Sequence, residues 1–247
     1  MKLSVNIRRV CYKGVPVLNN ITFSPEEKSL VAVIGRDGAG KSTLLSAISA
    51  LLAFDGEITV DGRDVRTYTR KNLAKIISSV PQIPRAPHIP VRELVAYGRS
   101  PYLKLGMRLT ESDLDIVGKA MERAEITHLQ DAYADKISGG ELRRVWLAML
   151  LSQNTDIALL DEPTAFMDAD YENKFHKLAW ELSREKTVIT VTHNLDAAVR
   201  YADYILLLDS GEQLFYGSTA ELLSGELIER TFGVKRFTLD GKIFFRA

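Results

Sequence analysis

Lys41 and Ser42 close the string Gly35-Arg36-Asp37-Gly38-Ala39-Gly40-Lys41-Ser42, which fits the pattern G-x-x-x-x-G-K-[ST]. The residue types define a chemistry. Glycines at 35, 38 and 40 let the backbone take shapes that a Cβ forbids. Successive N–H groups can then converge on phosphate oxygens at the positive end of a following helix. Lys41 supplies a cation for the β- and γ-phosphates, and Ser42 a hydroxyl for Mg²⁺. Arg36, Asp37, Ala39 and Thr43 complete the stretch expected to line a nucleotide.

Asp161 and Glu162 are the next candidates. An acid at the end of a buried strand is costly unless a positive charge meets it. Mg²⁺ on a triphosphate meets that need at Asp161. Glu162 is then placed to polarise an attacking water as general base. A strand-end acidic pair can also cap the next helix; the phosphate loop upstream favours the catalytic reading. Gln82 is a candidate for sensing Mg²⁺ and water. His193, after V-I-T-V-T, is a candidate for touching the γ-phosphate or orienting Glu162. Tyr12 can stack on adenine, or serve as an ordinary strand aromatic. His88, His128 and His176 read as structural, and no histidine cluster suits zinc.

These residues need elements to hold them. Leu30 to Ile34 is a short β-rich apolar run, read as a strand buried on both faces. From Ser42 onward, Leu44, Leu45, Ile48, Leu51 and Leu52 fall at helical spacing. Lys2–Val10 and Val17–Phe23 read as strands around a turn at Lys13-Gly14. Gly56–Val60 is another, followed by the turn pair Asp61-Gly62. Lys71 to Ser79 leads to a strand-like run that stops at Pro81. Pro84, Pro87 and Pro90 stiffen the stretch from 83 to 90. Helices follow over Val91–Tyr97 and Glu111–Ala124, with Leu114, Val117 and Met121 on one face. Another begins after Ser138-Gly139-Gly140, with Leu142, Val145, Trp146, Met149 and Leu150 on one face.

Strands then alternate with helices. Ile157–Leu160, Thr187–Thr192 and Tyr204–Leu208 read as strands, Tyr171–Ser183 and Asn194–Tyr201 as helices. This order predicts an α/β fold with a parallel sheet covered on both faces. Sites in such sheets lie beyond the carboxyl ends of the strands, where Gly35, Asp161 and His193 all stand. The tail from Thr238 to Phe244 reads as a small hairpin.

Composition excludes several classes. Apolar residues make up 46% and charged residues 26%, ordinary for a globular chain. The 32 basic and 32 acidic residues leave no net charge, so no footprint for non-specific nucleic-acid binding. Cys11 is the only cysteine, which precludes an internal disulfide; it reads as a buried reduced thiol. No apolar run approaches the ~20 residues of a membrane helix. The start, M-K-L-S-V-N-I-R-R-V, lacks an apolar signal core.

Ile137-Ser138-Gly139-Gly140-Glu141 resembles the signature motif of ATP-binding cassette (ABC) ATPases. The resemblance runs along essentially the whole chain: Tyr12, the phosphate loop, Gln82, the signature, I-A-L-L-D-E-P, the Asp168 loop and His193 stand in family order. It implies a P-loop core of ABC type over about 1–83 and 151–220, with an antiparallel β flank. An inserted helical subdomain over about 84–150 and a tail over about 221–247 complete one nucleotide-binding domain. It further implies a homodimer sandwiching two ATPs head to tail, with Mg²⁺ at Ser42, Gln82 and Asp161. Ser138, Gly139, Gly140 and Glu141 of one subunit would face the nucleotide held by the other, with Asp168 across the contact. Glu162, His193, Gln82 and Lys41 would be the catalytic set.

His88 to Tyr102, H-I-P-V-R-E-L-V-A-Y-G-R-S-P-Y, is similar to the segment after the glutamine loop in importers of metal chelates: ferric siderophores, haem or cobalamin. That implies transmembrane permease subunits, an extracytoplasmic binding protein and a peripheral place on the cytoplasmic face of the membrane. The rival is a non-transport ABC ATPase acting on ribosomes or DNA, which one cassette without sustained heptads disfavours; a third is a non-hydrolysing adaptor. Three departures stand out. Asp37 replaces the usual Asn and adds a negative charge for Arg36 or Lys41 to offset. Ile137 replaces Leu, and Phe166-Met167 is bulkier than usual before Asp168.

Overall fold

The computed structural model describes residues 1–80, 86–104, 107–164 and 169–246. In chain order the elements are β1 (Leu3–Tyr12), β2 (Val15–Phe23), β3 (Leu30–Gly35), α1 (Lys41–Ile48), β4 (Phe54–Val60), β5 (Arg63–Asp64), α2 (Arg70–Leu73) and β6 (Ile77–Val80). Next come α3 (Val91–Ala96), α4 (Glu111–Arg123), α5 (Gly139–Gln153), β7 (Ile157–Asp161), α6 (Ala169–Ser183), β8 (Thr187–Val191) and α7 (Leu195–Tyr201). The chain closes with β9 (Tyr204–Asp209), β10 (Glu212–Ser218), α8 (Thr219–Leu223), α9 (Leu227–Phe232), β11 (Lys235–Leu239) and β12 (Lys242–Arg246).

Among the described residues ten strands form one sheet, in the order β5-β4-β1-β2-β10-β9-β3-β8-β7-β6. The stretch from β9 to β6 is parallel, and β1, β2, β4 and β5 form an antiparallel flank. This is the mixed α/β fold expected. Parity along the strands builds two cores, because successive side chains leave opposite faces. Leu30, Ala32 and Ile34 of β3 join Ala158 and Leu160, Val188, and Ile205 and Leu207 on the face under α3 to α7. Val31 and Val33 join Leu159, Ile189 and Val191, and Leu206 and Leu208 on the face under α1 and the flank. Every residue of β3 is buried, as a central parallel strand requires.

The antiparallel hairpins turn on residue–glycine pairs with positive φ at both positions, the twist that matches two-residue hairpins. They are Lys13-Gly14, Asp61-Gly62, Ser210-Gly211 and Asp240-Gly241. The last lies in the expected tail hairpin, which spans Lys235–Arg246.

The helical stretch packs around one buried ion pair. Arg99 Nε donates to Asp113 Oδ1 at 2.9 Å, and its Nη1 to the carbonyl of Ser152 at 2.9 Å. Its guanidinium also lies 4.0 Å from the centre of the Tyr102 ring. Gly98 touches α5 so closely that a Cβ there would lie 2.1 Å from Ser152 Oγ. The segment His88–Tyr102 therefore ties α3, α4 and α5 together. Val91, Val117 and Val145 of these helices share the core of the sheet's helical face.

Three local expectations need correction. Leu114 is 55% exposed; the buried face of α4 runs Asp113, Val117, Ala120, Met121, because Asp113 is drawn inward by Arg99 and Thr110. Helix α1 stops at Ile48 and leaves Leu51 exposed, the chain turning through positive φ at Ala50. Cys11 is exposed, lying just past a register shift between Val10 and Cys11 beside the β1–β2 turn. Helix α5 runs from Gly139 to Gln153.

Candidate active site

Strand β3 delivers the chain to Gly35 at its carboxyl end. Gly40 takes φ 90° and stands as the N-cap of α1, with no side chain capping the helix. A Cβ at Gly40 would lie 2.4 Å from Leu18 Cδ2, so both the φ and the space call for glycine. The first-turn N–H groups of α1 are left to an outside acceptor. Lys41 is buried; its Nζ donates to the carbonyls of Gly35 at 2.8 Å and Arg36 at 3.0 Å. Burial pushes its pKa down, and the charges of Glu162, Asp37 and Asp161 oppose that. A cavity of about 410 Å³ opens over the loop, lined by Val17, Asp37 to Thr43, and Glu162. A larger one, about 510 Å³, lies elsewhere, among Leu51, Val65, Tyr68, Leu73, Ile77 and Gln153. The smaller cavity holds the chemistry.

Strand β7 ends at Asp161. Ser42 Oγ donates to Asp161 Oδ1 at 2.9 Å. Burial raises the Asp161 pKa, the Ser42 bond lowers it, Glu162 raises it and Lys41 lowers it. A half-buried carboxylate beside a hydroxyl is a hard-oxygen pair of the kind that suits Mg²⁺ shared with phosphates. Among the described residues no cluster of His, Cys, Asp or Glu could cage a metal alone. The donors thus fit an ion that arrives with its nucleotide.

Glu162 follows at φ 45°, a left-handed conformation rare for a non-glycine residue. Its Oε1 lies 2.7 Å from His193 Nε2. His193 Nδ1 is 3.6 Å from Asp37 Oδ1, so the imidazole stands between two carboxylates. Asn194 caps α7 by accepting from Ala197 N–H at 2.8 Å, which fixes the chain just after His193. Together these groups can hold a polyphosphate, a hard cation and an attacking water.

The loop and Glu162 thus line one cavity, with Asp161 bonded behind it to Ser42 and His193 to Glu162. Gln82 and Asp168 lie outside the described residues. Tyr12 is 57% exposed near the β1–β2 turn, with Lys13 Nζ 5.6 Å from its ring centre. The Arg36 side chain reaches α9, where its Nε donates to the carbonyl of Thr231 at 2.7 Å. Ser138 and Glu141 form a capping box on α5: Ser138 N–H donates to Glu141 Oε2 at 2.8 Å, and Glu141 N–H donates to Ser138 Oγ at 3.3 Å. The Ser138 hydroxyl, donating to Glu141 Oε2 at 2.7 Å, and then the Ser138 N–H hold the Glu141 pKa below its usual value. Gly139 and Gly140 open the helix at the surface. From the same helix Arg143 feels Glu162, whose charge opposes the lowering that burial imposes on its guanidinium. Val17, which lines the cavity, and Thr231 carry no signal of this role in their sequence surroundings.

A profile of the ABC transporter family matches residues 18–165. The ferric enterobactin transport ATP-binding protein FepC of Escherichia coli (strain K12) is 38% identical over 236 residues, covering 94% of this chain and 87% of that relative. The petrobactin import ATP-binding protein YclP of Bacillus subtilis (strain 168) is 34% identical over 234 residues, with 92% of each chain covered. A solved structure of a metal-chelate type ABC transporter in an inward-facing conformation superposes with a TM-score of 0.82 at 25% identity, covering 99% of this chain and 95% of that one.

Proposed function

The chain belongs to the ABC transporter family and is an ATP-binding ATPase whose hydrolysis is coupled to transport, and from that premise we propose that it drives import of a ferric siderophore. Support for the cargo class comes from the relatives, named for transport of ferric enterobactin, achromobactin and petrobactin. We assign it to the cytoplasmic face of the membrane, held there by permease subunits that receive cargo from an extracytoplasmic binding protein. No helix among the described residues is long and apolar enough to cross a membrane.

The observation that carries the mechanism is the convergence of Lys41, the Ser42–Asp161 pair and the Glu162–His193 pair on one cavity. On this reading the N–H groups at the start of α1 hold the β- and γ-phosphates, and Lys41 swings from the Gly35 and Arg36 carbonyls to neutralise them. Mg²⁺, carried by Ser42 and Asp161 with Gln82, supplies charge neutralisation between the phosphates when bound. Glu162 accepts a proton from the attacking water. His193 holds the Glu162 carboxylate in line and offers an N–H to the γ-phosphate. The helix N-terminus at Ser138-Gly139-Gly140 of a second copy closes the site, with Asp168 across the contact.

The proposed permease contact is the cleft of Leu51, Val65, Tyr68, Leu73 and Ile77, which borders β6. Its exposed Leu51 and the nearby apolar lining suit a short amphipathic helix. The test is ATPase activity of the chain in proteoliposomes with its permease and binding protein. Stimulation by a ferric siderophore, with uptake of the iron, is the expected result. Activity that ignores every siderophore-loaded binding protein would refute the importer reading and leave the ATPase.

A further inference from the structure

We propose that the segment after β10 is a strap that positions the catalytic groups from behind, with Arg36, Asp196 and Arg236 as positioning residues. The proposal rests on the assignment of the phosphate loop and His193 made above. Three links carry it.

The first joins α9 to the phosphate loop. The Thr231 carbonyl lies in the last turn of α9, where helical carbonyls lack an intrahelical donor. Arg36 Nε supplies that donor at 2.7 Å, and Thr231 is only 7% exposed. A guanidinium at a helix C-terminus is also favoured by the helix dipole. The backbone carbonyl of the same Arg36 accepts from Lys41 Nζ. Pinning the Arg36 side chain therefore fixes one of the two carbonyls that park Lys41.

The second joins β12 to the helix that follows His193. Asp196 stands in the first turn of α7. Its Oδ1 accepts from Phe245 N–H at 2.8 Å, and its Oδ2 from Arg246 Nη1 at 2.9 Å. Arg200, one turn on, lies 5.9 Å from the centre of the Phe244 ring. Phe245 is buried in the same core as the sheet, so this grip is anchored.

The third makes the tail one body. Arg236 on β11 donates from Nε to Glu229 Oε1 at 2.7 Å, from Nη1 to the Leu223 carbonyl at 2.5 Å, and from Nη2 to the Gly225 carbonyl. It thereby joins the hairpin to α8 and α9. Ile228, fully buried, seats α9 on the core. One rigid piece thus holds the phosphate loop at one end and the His193 helix at the other.

The two ends predict different kinetic signatures in the full chain. Arg236→Ala, which touches nothing in the cavity, raises KM for MgATP about three- to tenfold, as expected for losing one or two hydrogen bonds that set the loop. Arg36→Ala does the same. Because both act through α9, the double variant has the KM of Arg36→Ala alone, not the product of the two effects. Asp196→Ala lowers kcat with KM little changed, and Asp196→Asn, which keeps an acceptor for Phe245 N–H, restores most of it. Lys41→Ala serves as the control for the site itself and should lose nucleotide binding. Multiplying effects of Arg36→Ala and Arg236→Ala would overturn the strap. So would wild-type kcat and KM in Arg236→Ala and Asp196→Ala alongside lowered melting temperatures. Undiminished nucleotide binding in Lys41→Ala would instead bring down the site assignment, and the strap with it.

Discussion

Glu162 Oε1 and His193 Nε2 lie 2.7 Å apart, bridging the carboxyl ends of β7 and β8. The contact joins a carboxylate on a strained backbone to a ring anchored by the cap of α7. Replacing His193 by alanine frees the carboxylate and removes an N–H from the γ-phosphate. The expected result is a fall in kcat of about 100-fold or more, with KM for ATP changed far less. Steady-state phosphate release against ATP concentration measures both.

Ser42 and Asp161 form the pair proposed to share Mg²⁺. Asp161→Asn removes the charge and keeps the shape. Wild-type affinity for ATP should rise when Mg²⁺ is added, and the variant's should not. Titration of a fluorescent ATP analogue with and without Mg²⁺ reads this directly. An equal Mg²⁺ response in both proteins would take Asp161 out of the metal site.

Asp37 places a second carboxylate 3.6 Å from His193 and beside the phosphate cavity. Its side chain is 94% exposed, so its field is screened by salt. Asp37→Asn should tighten ATP binding by about two- to fivefold at low ionic strength, and the gain should shrink in salt. Binding titrations at two salt concentrations test it; a salt-independent effect would point to geometry instead of charge.

Much of this site was legible because its chemistry allows few residue types. The run Leu30 to Ile34 and the loop to Ser42 announce strand, turn and helix together. Asp161 and His193 are marked by the buried strands before them. The strap was not legible, because Arg36 and Thr231 are 195 residues apart and a backbone acceptor leaves no trace in sequence. Strand β10 carried a usable signal in Ser210-Gly211, the same positive-φ pair that turned the other hairpins. Leu114 misled because apolar spacing favoured it, while the partnered charge of Asp113 took the buried position. That exchange depends on Arg99, whose bond to Asp113 cannot be read from periodicity.

The Arg99–Asp113 pair gives a prediction for stability and pH. Hydrogen bonds from the Thr110 side chain and backbone, with that from Arg99, hold the Asp113 carboxyl below its ordinary value. A depressed folded pKa contributes stability that is present above the unfolded value of about 4 and lost as pH falls through the folded one. Melting temperature should therefore drop more steeply below pH 4 in the wild type than in Asp113→Asn. At pH 7, Arg99→Ala should cost about 1.5–3 kcal/mol by removing the charged donor to a buried carboxylate that keeps its bonds from Thr110. Thermal melts from pH 3 to 7 check both.

Glu162→Gln in the full chain tests the general base most directly, with ATP binding and hydrolysis measured on the same preparation. Glutamine keeps the size and the contact with His193 but cannot take a proton from water. ATP affinity should stay within about twofold of wild type while turnover falls by about 10²–10⁴. Wild-type turnover in a variant that still binds ATP would contradict Glu162 as the base.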